Sequence, residues 1–178
     1  MLEPTAATTQ FESAVTANMS RLIGLARSML GNQARDAKQA EDLVQDALLK
    51  LFRHRDRYDW SDGGWSLMAK SVARNVISCR RRKLGKSLDA DPATLESMGE
   101  NNDPATVPMT REVIELVRKH MAALPHNWRE AMVLREQQEL GYREIADVMG
   151  ATESQVKTWL HRGRLRLGEL LREHMQEM

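Results

Sequence analysis

The stretch Tyr142-Arg-Glu-Ile-Ala-Asp-Val-Met-Gly-Ala-Thr-Glu-Ser-Gln-Val-Lys-Thr-Trp-Leu-His161 carries the spacing of a helix-turn-helix. Ile145, Ala146 and Met149 fall on one helical face, and Gly150 follows as the residue that most readily takes the positive φ of a C-terminal cap. Ala-Thr-Glu-Ser then supplies a turn in which Thr152 or Ser154 can cap a second helix, whose inward face carries Val156 and Leu160. Ala146 is small where the two helices are expected to cross. The outward face holds Glu153, Gln155, Lys157, Thr158, His161 and Arg162, which offer hydrogen-bonding groups to base edges and cations to phosphates. That composition suits a recognition helix, although the spacing alone also fits a solvated helix on an ordinary all-α domain.

Working back from this motif, the rest of the chain reads as helical. The apolar residues Phe11, Val15, Met19, Leu22, Leu25, Ala26 and Met29 repeat every three or four positions, and Gly31-Asn32 stops that helix. A second helix runs from about Ala37 to Arg53 on Ala40, Leu43, Val44, Ala47, Leu48, Leu51 and Phe52. A turn-rich loop from Arg55 to Gly64 carries Tyr58 and Trp60. Trp65, Met68, Ala69, Val72, Ala73, Val76 and Ile77 then define a third helix that runs into the basic tract Arg80 to Lys83. A fourth helix spans about Thr110 to Ala123 and is broken by Leu124-Pro125. His126 or Asn127 opens a fifth, with Ala131, Met132 and Leu134 inward.

No strand-like alternation or long repeat interrupts this pattern, so the class is all-α. The expected organisation is two small helical domains joined by a flexible linker: a tail at 1–10, a first domain at 11–83, an acidic linker at 84–109, and a second domain at 110–178. Charge supports the division. The 178-residue chain nets only +1, yet Gly63 to Lys86 contains no acid, and Ser87 to Thr110 contains five acids and no base.

Several functions are excluded at this level. Gly85-Lys86-Ser87 resembles the end of a phosphate-binding loop, but the required first glycine would fall on Arg80. The five histidines show no metal-ligand spacing with carboxylates or with Cys79, so no metal, cofactor or enzyme activity is expected. A single cysteine allows no intramolecular disulfide. No segment approaches the roughly 18 apolar residues of a membrane span, and no leader is evident, so the expected location is cytoplasmic, without membrane insertion.

Four stretches together resemble the extracytoplasmic-function class of bacterial RNA polymerase sigma factors, within the sigma-70 family. They are Ala40-Glu-Asp-Leu-Val-Gln-Asp-Ala-Leu-Leu-Lys-Leu-Phe52; Val72-Ala-Arg-Asn75 with Arg80-Arg-Arg-Lys83; Ala123-Leu-Pro-His-Asn-Trp-Arg-Glu-Ala131; and Tyr142 to Leu171. The resemblance implies sigma region 2 in the first domain and sigma region 4, with its helix-turn-helix, in the second. It also implies binding to core RNA polymerase and promoter DNA, and control by an anti-sigma factor. By the same likeness, Asp42, Leu43, Gln45 and Asp46 would meet the polymerase. Tyr58, Trp60, Arg74, Asn75, Arg80, Arg81, Arg82 and Lys83 would serve the minus-10 element, with Tyr58 and Trp60 as stacking platforms and Trp65 in the core. Gln155, Lys157, Thr158, His161, Arg162 and Arg164 would serve the minus-35 element. Trp159 departs from the family, which usually places a basic residue there; Arg164 and Arg166 lie close enough to compensate. Two other readings stay open: a sigma-like decoy that only binds an anti-sigma protein, and a helix-turn-helix repressor that acts without polymerase.

Overall fold

The computed structural model describes residues 5–33, 37–84 and 111–176. The chain divides into two compact units, one ending at Leu84 and the other beginning at Gly85. The stretch read as an acidic linker lies outside the described residues, apart from Leu84 at its start.

The first unit is built from α1 (Ala6–Leu30), α2 (Ala37–Phe52) and α3 (Trp65–Leu84), each packed on the other two. Their shared core holds Phe11, Leu22, Leu25, Met29, Val44, Leu48, Met68, Val72 and Val76. Helix α1 starts earlier than expected, so residues 6–10 are helical and not a tail. Thr5 supplies the reason, since its hydroxyl accepts a hydrogen bond from the Thr8 backbone N–H at 3.3 Å. Thr8 is itself buried, and Arg55 Nε donates to its hydroxyl at 2.7 Å.

The buried stripe of α1 also differs from the apolar pattern. Val15 and Met19 are half-buried, while Asn18 lies in the core. Its amide donates to Ala14 O at 2.8 Å and to Gly63 O at 3.2 Å. A buried amide needs such partners, and here they tie the α2–α3 loop to α1.

That loop closes on Trp60. The indole is only 3% exposed, donates through Nε1 to Arg55 O at 2.9 Å and meets the Phe11 ring edge-on at 5.0 Å. Asp59 and Asp62 accept from the backbone N–H groups of Ser61 and Gly64, at 2.9 and 2.8 Å. Gly63 and Gly64 both take positive φ, +76° and +61°.

The second unit comprises α4 (Arg111–Ala123), α5 (His126–Glu136), α6 (Tyr142–Met149) and α7 (Glu153–Gln176), with α7 packed against the other three. Arg129 turns the α4–α5 corner: its buried guanidinium donates to Ala122 O and Leu124 O, both at 3.0 Å. Gly150 caps α6 in the left-handed conformation, φ 60° and ψ 45°, and its N–H reaches Ala146 O. Ile145, Ala146, Met149, Val156 and Leu160 are buried, as a helix-turn-helix core requires. Gly163 has no counterpart in the sequence reading. A Cβ there would stand 2.5 Å from Met132 Sδ, so its absence lets α7 lie close on α5.

The neighbouring loop glycines separate two effects. Gly64→Ala adds a clash 2.5 Å from the Trp60 ring to an unfavourable φ, whereas the Gly63 Cβ position is open. Urea denaturation should show a loss of about 2 to 4 kcal/mol for Gly64→Ala but only about 1 kcal/mol for Gly63→Ala. Equal losses would contradict the placement of Trp60.

Candidate nucleic-acid and partner interfaces

Helix α2 buries Leu43, Val44, Ala47, Leu48 and Leu51, which forces the residues between them outward. Asp42, Gln45 and Asp46 are exposed on that outer side. Leu43 is a correction: it is buried, so it supports the face from beneath and does not itself meet a partner. Leu49, three and four residues beyond Asp46 and Gln45, is 56% exposed and adds an apolar element to the same stripe. Its sequence signal was an apolar residue at a polar phase of the helix. The face therefore combines acids, an amide and a leucine, which suits a basic helical partner that also offers some apolar surface.

At the loop, Tyr58 is 38% exposed and stands edge-on to Trp60 at 5.9 Å. Trp60 was expected beside it as a second stacking platform. Its burial and its bond to Arg55 O remove it from that role and make it the support behind Tyr58. Trp65, expected in the core, is half-buried, with the Arg21 guanidinium 3.8 Å from its ring centre. Hydrogen bonds from the Ser61 backbone N–H and hydroxyl hold the exposed Asp59 carboxyl below its ordinary value.

Helix α3 sorts its polar residues by phase. Arg74, Arg82 and Lys83 are exposed and Arg81 is half-buried, while Arg80 is buried. Four consecutive side chains step around a whole helical turn, so they cannot all face one ligand. Asn75 is also buried and bonded through both ends of its amide: Nδ2 donates to Leu43 O at 2.8 Å, and Oδ1 accepts from Lys50 Nζ at 2.7 Å. It joins α3 to α2 and is not presented for reading a base.

In the second unit, α7 presents Lys157 as an exposed residue, with Thr158, His161 and Arg162 half-buried. Lys157 Nζ sits 5.6 Å from the Tyr142 ring centre, against whose face Arg135 also packs at 5.3 Å. The Thr158 hydroxyl donates back to Ser154 O at 3.0 Å and keeps its acceptor capacity. Gln155 is exposed, but its side chain completes the cap of α7. Its Oε1 accepts from the Thr152 N–H at 2.9 Å, while Thr152 Oγ1 accepts from the Gln155 N–H at 3.2 Å. Thr152, and not Ser154, is thus the cap. Arg164 pairs with Glu136 at 2.9 Å, so that carboxylate would compete with a phosphate for the guanidinium. Trp159 is buried between Val156 and Gly163 on the inward phase, so its departure from a basic residue falls on the packing side of α7.

The Sigma-70 region 2 family model matches residues 14–87, and the Sigma-70 region 4 model matches residues 114–167. The chain is 31% identical over 140 residues to the ECF RNA polymerase sigma factor SigM of Bacillus subtilis, covering 78% of this chain and 83% of that protein. It is 26% identical over 172 residues to SigW of the same organism, covering 92% and 89%. The ECF RNA polymerase sigma-E factor of Escherichia coli is 29% identical over 131 residues, 69% of each chain. Among solved structures, the sigma factor RpoE from Bartonella quintana, crystallised with the anti-sigma factor NepR, superposes with a TM-score of 0.61 at 26% identity. That match covers 91% of this chain and 96% of the other.

The burial of Asn75 has a measurable consequence. Asn75→Ala should lower the urea-denaturation stability of the first unit by about 1 to 3 kcal/mol, because it removes one hydrogen bond to a carbonyl and one to a cation. The exposed Arg82→Ala should change it by less than about 0.5 kcal/mol. A neutral Asn75→Ala would return that residue to the pool of DNA-reading groups.

Proposed function

Because the chain belongs to the extracytoplasmic-function class of sigma-70 family RNA polymerase sigma factors, we propose that it binds core RNA polymerase and directs it to promoters. Each of its two units does so through a distinct surface. The observation that carries this reading is the pairing, in one chain, of an acid-and-amide face on α2 with exposed cations on α3 and α7. A repressor acting alone would have no use for the first, and a decoy would have none for the second.

In this assignment Asp42, Gln45, Asp46 and Leu49 dock on the polymerase, with Leu43 as their buried support. Tyr58 stacks against an unpaired base near the minus-10 element, where one aromatic contact returns about 1 to 3 kcal/mol. Arg74, Arg82 and Lys83 hold the neighbouring phosphates, joined by Arg81 where its half-buried side chain reaches. Lys157, Thr158, His161 and Arg162 line the side of α7 that enters the major groove at the minus-35 element. The chemistry of RNA synthesis belongs to the polymerase, and this protein contributes affinity, register and strand opening.

Among the described residues no helix is long and apolar enough to cross a membrane, which supports work in the cytoplasm, where polymerase and promoters reside. The likeness to a sigma factor crystallised with an anti-sigma factor supports control by a protein of that kind.

Run-off transcription with purified core polymerase tests the assignment. Lys157→Ala or Arg162→Ala should reduce use of the upstream element by roughly 5- to 150-fold, in line with about 1 to 3 kcal/mol per base contact. Asp42→Ala with Gln45→Ala should weaken polymerase association while leaving the fold intact. Failure of the unmodified chain to associate with core polymerase would refute the reading as a whole.

A further inference from the structure

Helix α4 is thinly held. None of its residues is buried, and Val113 and Ile114 are exposed although apolar. It packs on α7, and at that contact the fold joins two histidines that lie far apart in sequence. The rings of His120 and His174 stand 5.9 Å apart, centre to centre, at an interplanar angle of 68°. His120 Nε2 is buried and has no hydrogen-bond partner among the described residues. A buried polar atom in that condition calls for an explanation, and an unmet ligand is one of the accepted ones.

We propose that His120 and His174 form a two-histidine site for a borderline-soft divalent ion, zinc, nickel or copper, which clasps α4 against α7. Imidazole nitrogens prefer these ions, whereas magnesium and calcium seek oxygen. With metal–nitrogen bonds of about 2.0 to 2.1 Å and near-tetrahedral to wider angles, two ligating imidazole rings have centres roughly 5 to 6 Å apart. The observed separation falls within that span, so the two rings stand at the spacing that a shared ion requires.

The site supplies two protein ligands and no more, because no group of three or more His, Cys, Asp or Glu side chains gathers among the described residues. Solvent would complete the coordination, and binding is accordingly reversible, unlike a closed zinc site of four protein ligands. His126, in the same unit, has a partner of its own: its Nδ1 lies 3.0 Å from Arg129 Nη2. The ion would join the two helices that carry it, and it would therefore order α4 more than any other part of the unit.

Calorimetric titration of the full chain with zinc chloride at about pH 7.5, with hydrogen exchange of residues 111–123, tests this inference. It predicts one ion per chain and slower exchange in α4. His120→Gln and His174→Gln should each lower the affinity at least tenfold, while His54→Gln in the other unit should leave it unchanged. In the unmodified protein, a copper titration followed by electron paramagnetic resonance should show hyperfine coupling to two nitrogens, a readout independent of whether the variants fold. An oxygen-only copper spectrum, or zinc affinity unaltered in both glutamine variants, would overturn the site while leaving the reading as a sigma factor untouched.

Discussion

Burial of a single apolar stripe per helix aims the functional side chains, and both units rest on that constraint. In α2, sinking Leu43, Val44, Ala47, Leu48 and Leu51 leaves Asp42, Gln45, Asp46 and Leu49 facing away from the core. In α7, sinking Val156, Trp159, Leu160 and Gly163 does the same for Lys157. Each fully buried large aliphatic side chain contributes about 1.5 to 3 kcal/mol, whereas an exposed ion pair such as Arg27 with Glu41 contributes about 0 to 1. The apolar side therefore decides orientation, and the polar side follows.

A second layer of organisation comes from polar groups that are inside. Asn18 fastens the α2–α3 loop to α1, Asn75 fastens α3 to α2, and Arg129 closes the end of α4. Each donates to backbone carbonyls of a neighbouring segment and fixes a direction that apolar contact leaves free. The Trp60 indole belongs to this group. Its single N–H is spent on Arg55 O, and its ring backs Tyr58, so a residue that looks suited to stacking on a base serves to hold another in place.

Helix count, helix phase and the helix-turn-helix were legible in the sequence because they rest on periodicity and on glycine and proline punctuation, which are local. Gly150 is an example: its role as a left-handed cap follows from its position alone. What was not legible depends on long-range partners. The apolar period could not say that Asn18 and Asn75 lie inside, since an amide is buried only where distant carbonyls await it. Nor could it place Trp60 inward, because a loop has no repeating phase from which to infer a face. Gln155 shows a subtler limit: Thr-x-x-Gln is a capping signature, and the same exposed side chain also suits a base edge. His120 and His174 come together only through the packing of α4 on α7, which no spacing rule in one dimension can reveal.

The arrangement of α7 also bears on how a protein of this design can change its preference. Trp159 and Gly163 seat the helix, while Lys157, which the proposed function assigns to reading, faces outward. On that proposal, exchanging Lys157 alters what is recognised at little expense to folding, whereas exchanging Trp159 or Gly163 jeopardises the seat itself. Lineages that need a new operator code can rewrite one side of the rod and inherit the other unchanged.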